Sequence, residues 1–124
     1  MLGLSDLLGT GHIDVNVDGK VTLAEVIGDL RVGLIRSRAD DVLLTAQAAS
    51  IVDAKAGDGA APTGDLDPDV VGINLTLLAA LGGIGSTTNF LEIDSSNKDG
   101  AVNNGVVDAQ ALNGIYLIET VGDL

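Results

Sequence analysis

The sequence predicts a mainly α fold, a small domain of about four helices joined by Asp/Gly-rich loops, with room for a short strand or hairpin. Three observations lead there. Apolar residues recur at helical spacing over 22–36, at Leu23, Val26, Ile27, Leu30 and Leu34. Capping signals stand where such segments begin, first at Thr22 with Glu25 three residues on. The chain is 46% hydrophobic yet has one Phe, one Tyr and no Trp, so its core has to be packed from Leu, Ile, Val and Ala. At 124 residues and 12.5 kDa it suits a single domain, residues 1–124.

The first expected helix starts at Thr22 and runs to residue 36. A second is expected over 38–54, with Ser37 as N-cap and Asp40 and Asp41 in the first turn, where carboxylates meet the positive end of the helix dipole. The third is bounded by Asp67 as cap, Pro68 in the first helical position and Gly82-Gly83 after Leu81. The fourth runs from Asp108 as cap to Val121, with Leu112, Ile115 and Tyr116 facing inward and Gly114 a tolerated weakness. Residues 87–93, "TTNFLEI", fit a strand or one helical turn equally.

Eighteen acidic residues against six basic ones give a formal charge of −12, which repels nucleic acid and anionic membranes and attracts cations. No apolar run is long enough to insert in a membrane, and "MLGLSDLLG" lacks the basic start of a secretory signal. With no cysteine, thiolate metal sites and disulfides are excluded. A single histidine, His12, leaves no histidine pair for zinc. "GGIGSTT", residues 82–88, has no lysine in a Walker arrangement and reads as a helix stop and linker. Nothing supplies the pocket or oxyanion donors that accompany catalytic carboxylates, so no enzyme is expected.

The chain resembles itself. Residues 53–67 laid over 94–108 match Asp53 to Asp94, Asp58-Gly59 to Asp99-Gly100, Gly64 to Gly105 and Asp67 to Asp108. The Asp18-Gly19 step adds an earlier copy, giving three loop-then-helix units at about 12–54, 53–83 and 87–124.

In the first unit, "DVNVDGKVTLAE", alternate positions carry oxygen donors: Asp14, Asn16 and Asp18, then Gly19 for a sharp turn, Lys20 with its backbone carbonyl, Thr22 through water and Glu25 in twelfth place. A hard cation such as Ca2+ wants about six to eight such oxygens. Over residues 14–36 this pattern resembles the EF-hand calcium loop, and more closely the dockerin type, in which a loop feeds a following helix. The resemblance implies that Asp14, Asn16, Asp18, Lys20 and Glu25 are Ca2+ ligands. Dockerin loops usually close with Asp, so the final Glu leans toward a general EF-hand ligand. The third unit departs from the pattern, offering Asp94, Asn97, Asp99 and a late Asp108, and the middle unit offers Asp53, Asp58, Asp65, Asp67 and Asp69 without an amide. A hairpin through Asp18-Gly19, pairing Ile13 with Leu23 and Val15 with Val21, competes for residues 13–24.

Two functions are expected from these features. One is a non-enzymatic, calcium-binding, dockerin-like module that contacts a protein partner. The other is a self-assembling structural subunit of a filament, surface layer or virion shell that contacts copies of itself. Either places the chain outside the cell or on a cell or virion surface.

Overall fold

The structure, a computed structural model, describes residues 2–5, 11–55, 67–96 and 105–121. Among these residues there is no helix. Eleven strands follow one another: β1 (Leu2–Ser5), β2 (Ile13–Val17), β3 (Val21–Ile27), β4 (Leu30–Ser37), β5 (Val42–Ala46), β6 (Ile51–Asp53), β7 (Val70–Val71), β8 (Leu75–Ala79), β9 (Leu91–Asp94), β10 (Val107–Ala111) and β11 (Leu117–Glu119). One sheet has the order β1-β3-β5-β8-β10, the other runs β11-β9-β7-β4-β2, and β6 joins it through β4. Every strand pairing is parallel. A chain that visits two sheets in turn and always pairs with the strand one circuit away is a coil, here a parallel β-solenoid.

Side chains stack in columns along the coil axis. In the first sheet Val21, Val42, Leu75 and Val107 are in register, as are Leu23, Leu44, Leu77 and Ala109. In the second sheet Ile35, Val70 and Ile93 line up, and the bridges of Ile51 to Ile84 and Ile84 to Ile115 extend the column begun by Leu30. The first three columns' upper members, with Leu30, Ile51 and Ile84, form one continuous buried core. A flattened coil of this kind has a thin interior that aliphatic side chains fill, so the scarcity of aromatic residues is no handicap. The single Phe and Tyr pack edge to face at the rim, Phe90 against Tyr116 with ring centroids 5.6 Å apart. Gly85 turns the chain there at φ +65°, and a Cβ on it would lie 2.3 Å from the Tyr116 carbonyl oxygen.

The mainly α expectation is therefore overturned, element by element. Residues 22–36 form β3 and β4, residues 38–54 form β5 and β6, the segment from Asp67 to Leu81 forms β7 and β8, and the segment from Asp108 to Val121 forms β10 and β11. The helical stripe misassigned the core: Val26 and Ile27 are 42% and 44% exposed, whereas Val32 and Ile35, off the stripe, are fully buried. Period-two alternation was present in "VLLTA" and "LTLLA", where Val42, Leu44 and Ala46, then Leu75, Leu77 and Ala79, point inward. Thr22 and Glu25 lie within β3 rather than in a capping box. For residues 13–24 the strand reading holds but the hairpin does not: β2 pairs with β4, and β3 with β1 and β5, so the two flanks of Asp18-Gly19 enter different sheets. The segment 87–93, left open between strand and helical turn, contributes to β9.

Candidate metal centre

In a solenoid each turn presents backbone N–H groups to the turn before it, and short polar side chains at the corners are suited to accept them. Asp14 Oδ1 accepts the Leu34 N–H at 2.8 Å. Asp29 Oδ1 accepts the Ser50 N–H at 2.9 Å, and the Ser50 hydroxyl oxygen in turn accepts the Gly83 N–H at 3.0 Å. Asp41 Oδ1 accepts both the backbone and the side-chain N–H of Asn74, at 3.1 and 3.0 Å, and Asn74 Oδ1 passes the pattern on to the Val106 N–H at 3.0 Å. Asp14, Asp29 and Asp41 thus stitch one turn to the next.

Three carboxylates behave differently. Asp53 closes β6, Asp69 immediately precedes β7 and Glu92 lies in β9, so three segments distant in sequence converge. Their oxygens lie within 4.8 Å of one another, and the residues are 6%, 1% and 1% exposed. Backbone pairing holds two of them face to face: the Asp69 N–H donates to the Glu92 carbonyl at 2.8 Å, and the Glu92 N–H donates to Asp69 Oδ2 at 3.2 Å. Asp53 Oδ1 accepts the Lys55 N–H at 2.8 Å, while Asp53 Oδ2 is buried with no hydrogen-bond partner. Lys55 Nζ approaches Asp69 Oδ1 at 3.4 Å.

This gathering of negative charge is costly without a counter-charge. The Asp69 carboxyl is pushed up to about 9, first by burial, then by its hydrogen bond to the Glu92 side chain and by the negative charge of Asp53. Near neutral pH, therefore, Asp69 holds a proton in the folded chain. A divalent cation is the other way to satisfy such a group, and three carboxylates offer the hard oxygen donors that Ca2+ or Mg2+ accepts.

A second acidic pair sits one turn on. Ser96 donates from its N–H at 2.8 Å and its hydroxyl at 2.6 Å to Asp94 Oδ1, leaving Asp94 Oδ2 buried without a partner. Glu119 accepts the Ser95 N–H at 2.9 Å and hydroxyl at 3.0 Å, and its carboxyl is raised, first by burial and further by the charge of Asp94. Asp53 and Asp94, aligned by the internal resemblance, share this geometry: each is a buried strand-ending Asp that accepts the N–H two residues on.

The residues of the first expected loop are dispersed. Asp14 and Asn16 lie on β2 and Thr22 and Glu25 on β3, in opposite sheets, with Asp18 and Lys20 exposed between them. Asp14 Oδ2 lies 3.0 Å from the His12 ring, and Asp18 pairs with Arg38 Nε at 2.6 Å. Glu25, 3% exposed, occupies the inward column that Ala46, Ala79 and Ala111 continue. Of the middle group, Asp53 and Asp69 meet and Asp67 lies two residues before Asp69 in sequence, while Asp58 and Asp65 fall outside the described residues. Of the third group, Asn97 and Asp99 also fall outside them, and Asp108 sits on β10, its oxygen 3.5 Å from the Gln110 amide.

Sequence reasoning missed Glu92. The signal was a lone acid between Leu91 and Ile93, whose alternation turns Glu92 away from the core side of β9 and yet leaves it buried. No protein-family model, no curated protein and no solved structure matches this chain.

Proposed function

We propose that the chain is a non-enzymatic structural module, a β-solenoid that takes a divalent cation, Ca2+ by preference, at Asp53, Asp69 and Glu92, and serves protein-protein contact. The observation that carries this reading is the buried Asp53 Oδ2, left without a hydrogen-bond partner among two further buried carboxylates. An ion there would link β6, β7 and β9 and replace the proton on Asp69. Calcium sites of extracellular modules work at about 0.1–1 mM, which suits a protein outside the cell or on a cell or virion surface.

Calorimetry and thermal melting with Ca2+ and with chelator test the reading. Wild type should bind and gain about 2.7 kcal/mol at a hundredfold excess of ion over Kd. Asp53→Asn should abolish both effects. Absence of binding heat together with identical melting in Ca2+ and chelator would sink the proposal.

Self-assembly is a second reading, favoured by the last described turn. Val106, Leu112 and Ile115 are 63%, 68% and 43% exposed there, and β10 and β11 each pair with a strand on one side only. Parallel strand edges that add head to tail make open filaments where the rotation between copies does not close a ring. Light scattering that stays at monomer mass across concentration and Ca2+ content would rule this out.

A further inference from the structure

We infer that Asn113 is a modification site: its side-chain amide is lost to water, and the isoaspartate so formed loosens the turn that carries it. Leu112, Asn113 and Gly114 are all exposed, at the bend between β10 and β11. Among the described residues this is the one asparagine followed by glycine.

Asparagine is a chemically labile residue, and loss of its amide needs an untied side chain and an untied, unshielded N–H on the next residue. Asn113 and Gly114 hold the described chain through backbone groups alone. The Asn113 N–H donates to the Gly82 carbonyl at 2.9 Å, and the Gly114 carbonyl accepts the Ile84 N–H at 3.0 Å. The Asn113 side chain and the Gly114 N–H have no hydrogen-bond partner among the described residues. Packing requires glycine at 114, because a Cβ there would lie 2.5 Å from the Tyr116 ring, itself set edge to face on Phe90. The same packing therefore leaves the Gly114 N–H unshielded by any side chain of its own. Other described asparagines lack this combination. Asn74 is tied through both side-chain atoms, to Asp41 and to the Val106 N–H, and the Leu75 N–H donates to the Val106 carbonyl at 2.9 Å. Asn89 Nδ2 donates to the Asp53 carbonyl at 3.3 Å, and bulky Val17 and Phe90 follow Asn16 and Asn89.

The step consumes one water, releases one ammonia and oxidises nothing. The Gly114 N–H gives its proton to water and its nitrogen bonds to Asn113 Cγ. The Cγ–Nδ2 bond breaks, and the amide nitrogen takes up a proton and leaves as ammonia, closing a five-membered succinimide ring. Water then adds to one ring carbonyl, and that carbon's bond to the Gly114 nitrogen breaks. Opening at Cγ gives aspartate, whereas opening at the main-chain carbonyl gives isoaspartate, in which the chain runs on through the side chain. Isoaspartate thus adds one backbone carbon between the bonds to Gly82 and Ile84 that fasten this turn to the one before, so the two cannot both stay in register. Either product also places a negative charge between Leu112 and Ile115, which are 68% and 43% exposed.

The test incubates the full chain at neutral pH in chelator, so that its outcome does not depend on the cation site, and maps each asparagine by peptide mass spectrometry. Asn113 should lose its amide well before Asn16, Asn74 and Asn89, with isoaspartate and aspartate both recovered. Asn104, also followed by glycine, lies outside the described residues, and cleavage at Asp108 places it in a separate peptide. Asn113→Gln, which has to close a larger ring, should keep its amide. Hydrogen exchange on the isoaspartate form should show lost protection at the Asn113 and Ile84 amides and unchanged protection at Leu44 and Leu77. Fresh Asn113→Asp, which adds the charge without the extra backbone carbon, should keep all four protected. Three results would each overturn the inference: an amide at Asn113 that survives in the folded chain while the same chain in denaturant loses it, equally fast loss at Asn74 or Asn89, or full protection of Ile84 in the isoaspartate form.

Discussion

Two sets of carboxylates in this molecule look alike in sequence and differ in physics. Those of the early turns, Asp14 within β2 and Asp29 and Asp41 at corners, accept N–H groups from the next turn. Those at Asp53, Asp69 and Glu92 crowd together away from water, and one oxygen of Asp53 has no donor at all. An Asp-rich corner is the ordinary consequence of coiling a chain, because each turn needs acceptors for its neighbour. A site is marked instead by a buried carboxylate oxygen such as Asp53 Oδ2, for which the protein supplies no hydrogen-bond donor.

Both regions share one continuous buried core. Leu44 and Leu77 are neighbours in the same buried column, one in the turn of Asp41 and one in the turn that leads to Glu92. Truncating either to alanine should cost about 2–5 kcal/mol and shift one common melting transition. Two separate transitions would mean that the halves unfold independently, as nearest-neighbour stacking in solenoids permits.

The carboxylate cluster should give the next largest effect, through pH. Folded Asp69 holds its proton up to about 9, whereas an unfolded Asp releases it near 3.8. Between these values the folded chain binds more protons, so in chelator stability should fall as pH rises, by at most about 1.4 kcal/mol per pH unit. Asp69→Asn should flatten the curve. With Ca2+ the trend should weaken, because the ion takes the place of the proton. A melting curve that is equally flat from pH 5 to 9 in wild type and Asp69→Asn would remove the distinction between the two sets.

How much of this was legible beforehand follows from the same physics. The aliphatic core and the cation-attracting charge follow directly from composition, and Asp53 and Asp69 were already candidates in the middle unit. The fold was hidden because Leu23, Val26, Ile27, Leu30 and Leu34 satisfy helical spacing, while the true inward set, Val21, Leu23, Leu30, Val32 and Ile35, is interrupted where β3 passes into β4 at Gly28, φ 87°. Parallel pairing also leaves no local signature, since Val21 answers to Val42 and Val42 to the more distant Leu75. Uneven turns of this kind conceal the period. Glu92 could be placed only after β9 was laid beside β7.

Removing a corner acceptor should have a smaller effect than any of these. Asp41→Ala deprives the Asn74 backbone and side-chain N–H groups of their shared acceptor at about 1–2 kcal/mol, judged by denaturant melting. The loss should be the same with and without Ca2+. A loss that appears only in Ca2+ would give Asp41 a role in ion binding.

The smallest effect falls on the position where a calcium loop looked best formed. Asp18 is exposed and meets Arg38 at 2.6 Å, with side chains 79% and 46% accessible, so water and salt screen the pair. Asp18→Asn should therefore cost between about 0 and 1 kcal/mol, and the cost should vanish at high salt. Its Ca2+ titration should overlay that of wild type, because the oxygens that lack a partner are elsewhere. Loss of calcium binding in Asp18→Asn, with Asp53→Asn still binding, would reverse the assignment: the ion would then draw β2 and β3 into a geometry in which Asp14, Asn16 and Asp18 converge, and the buried cluster would be a set of proton-sharing acids alone.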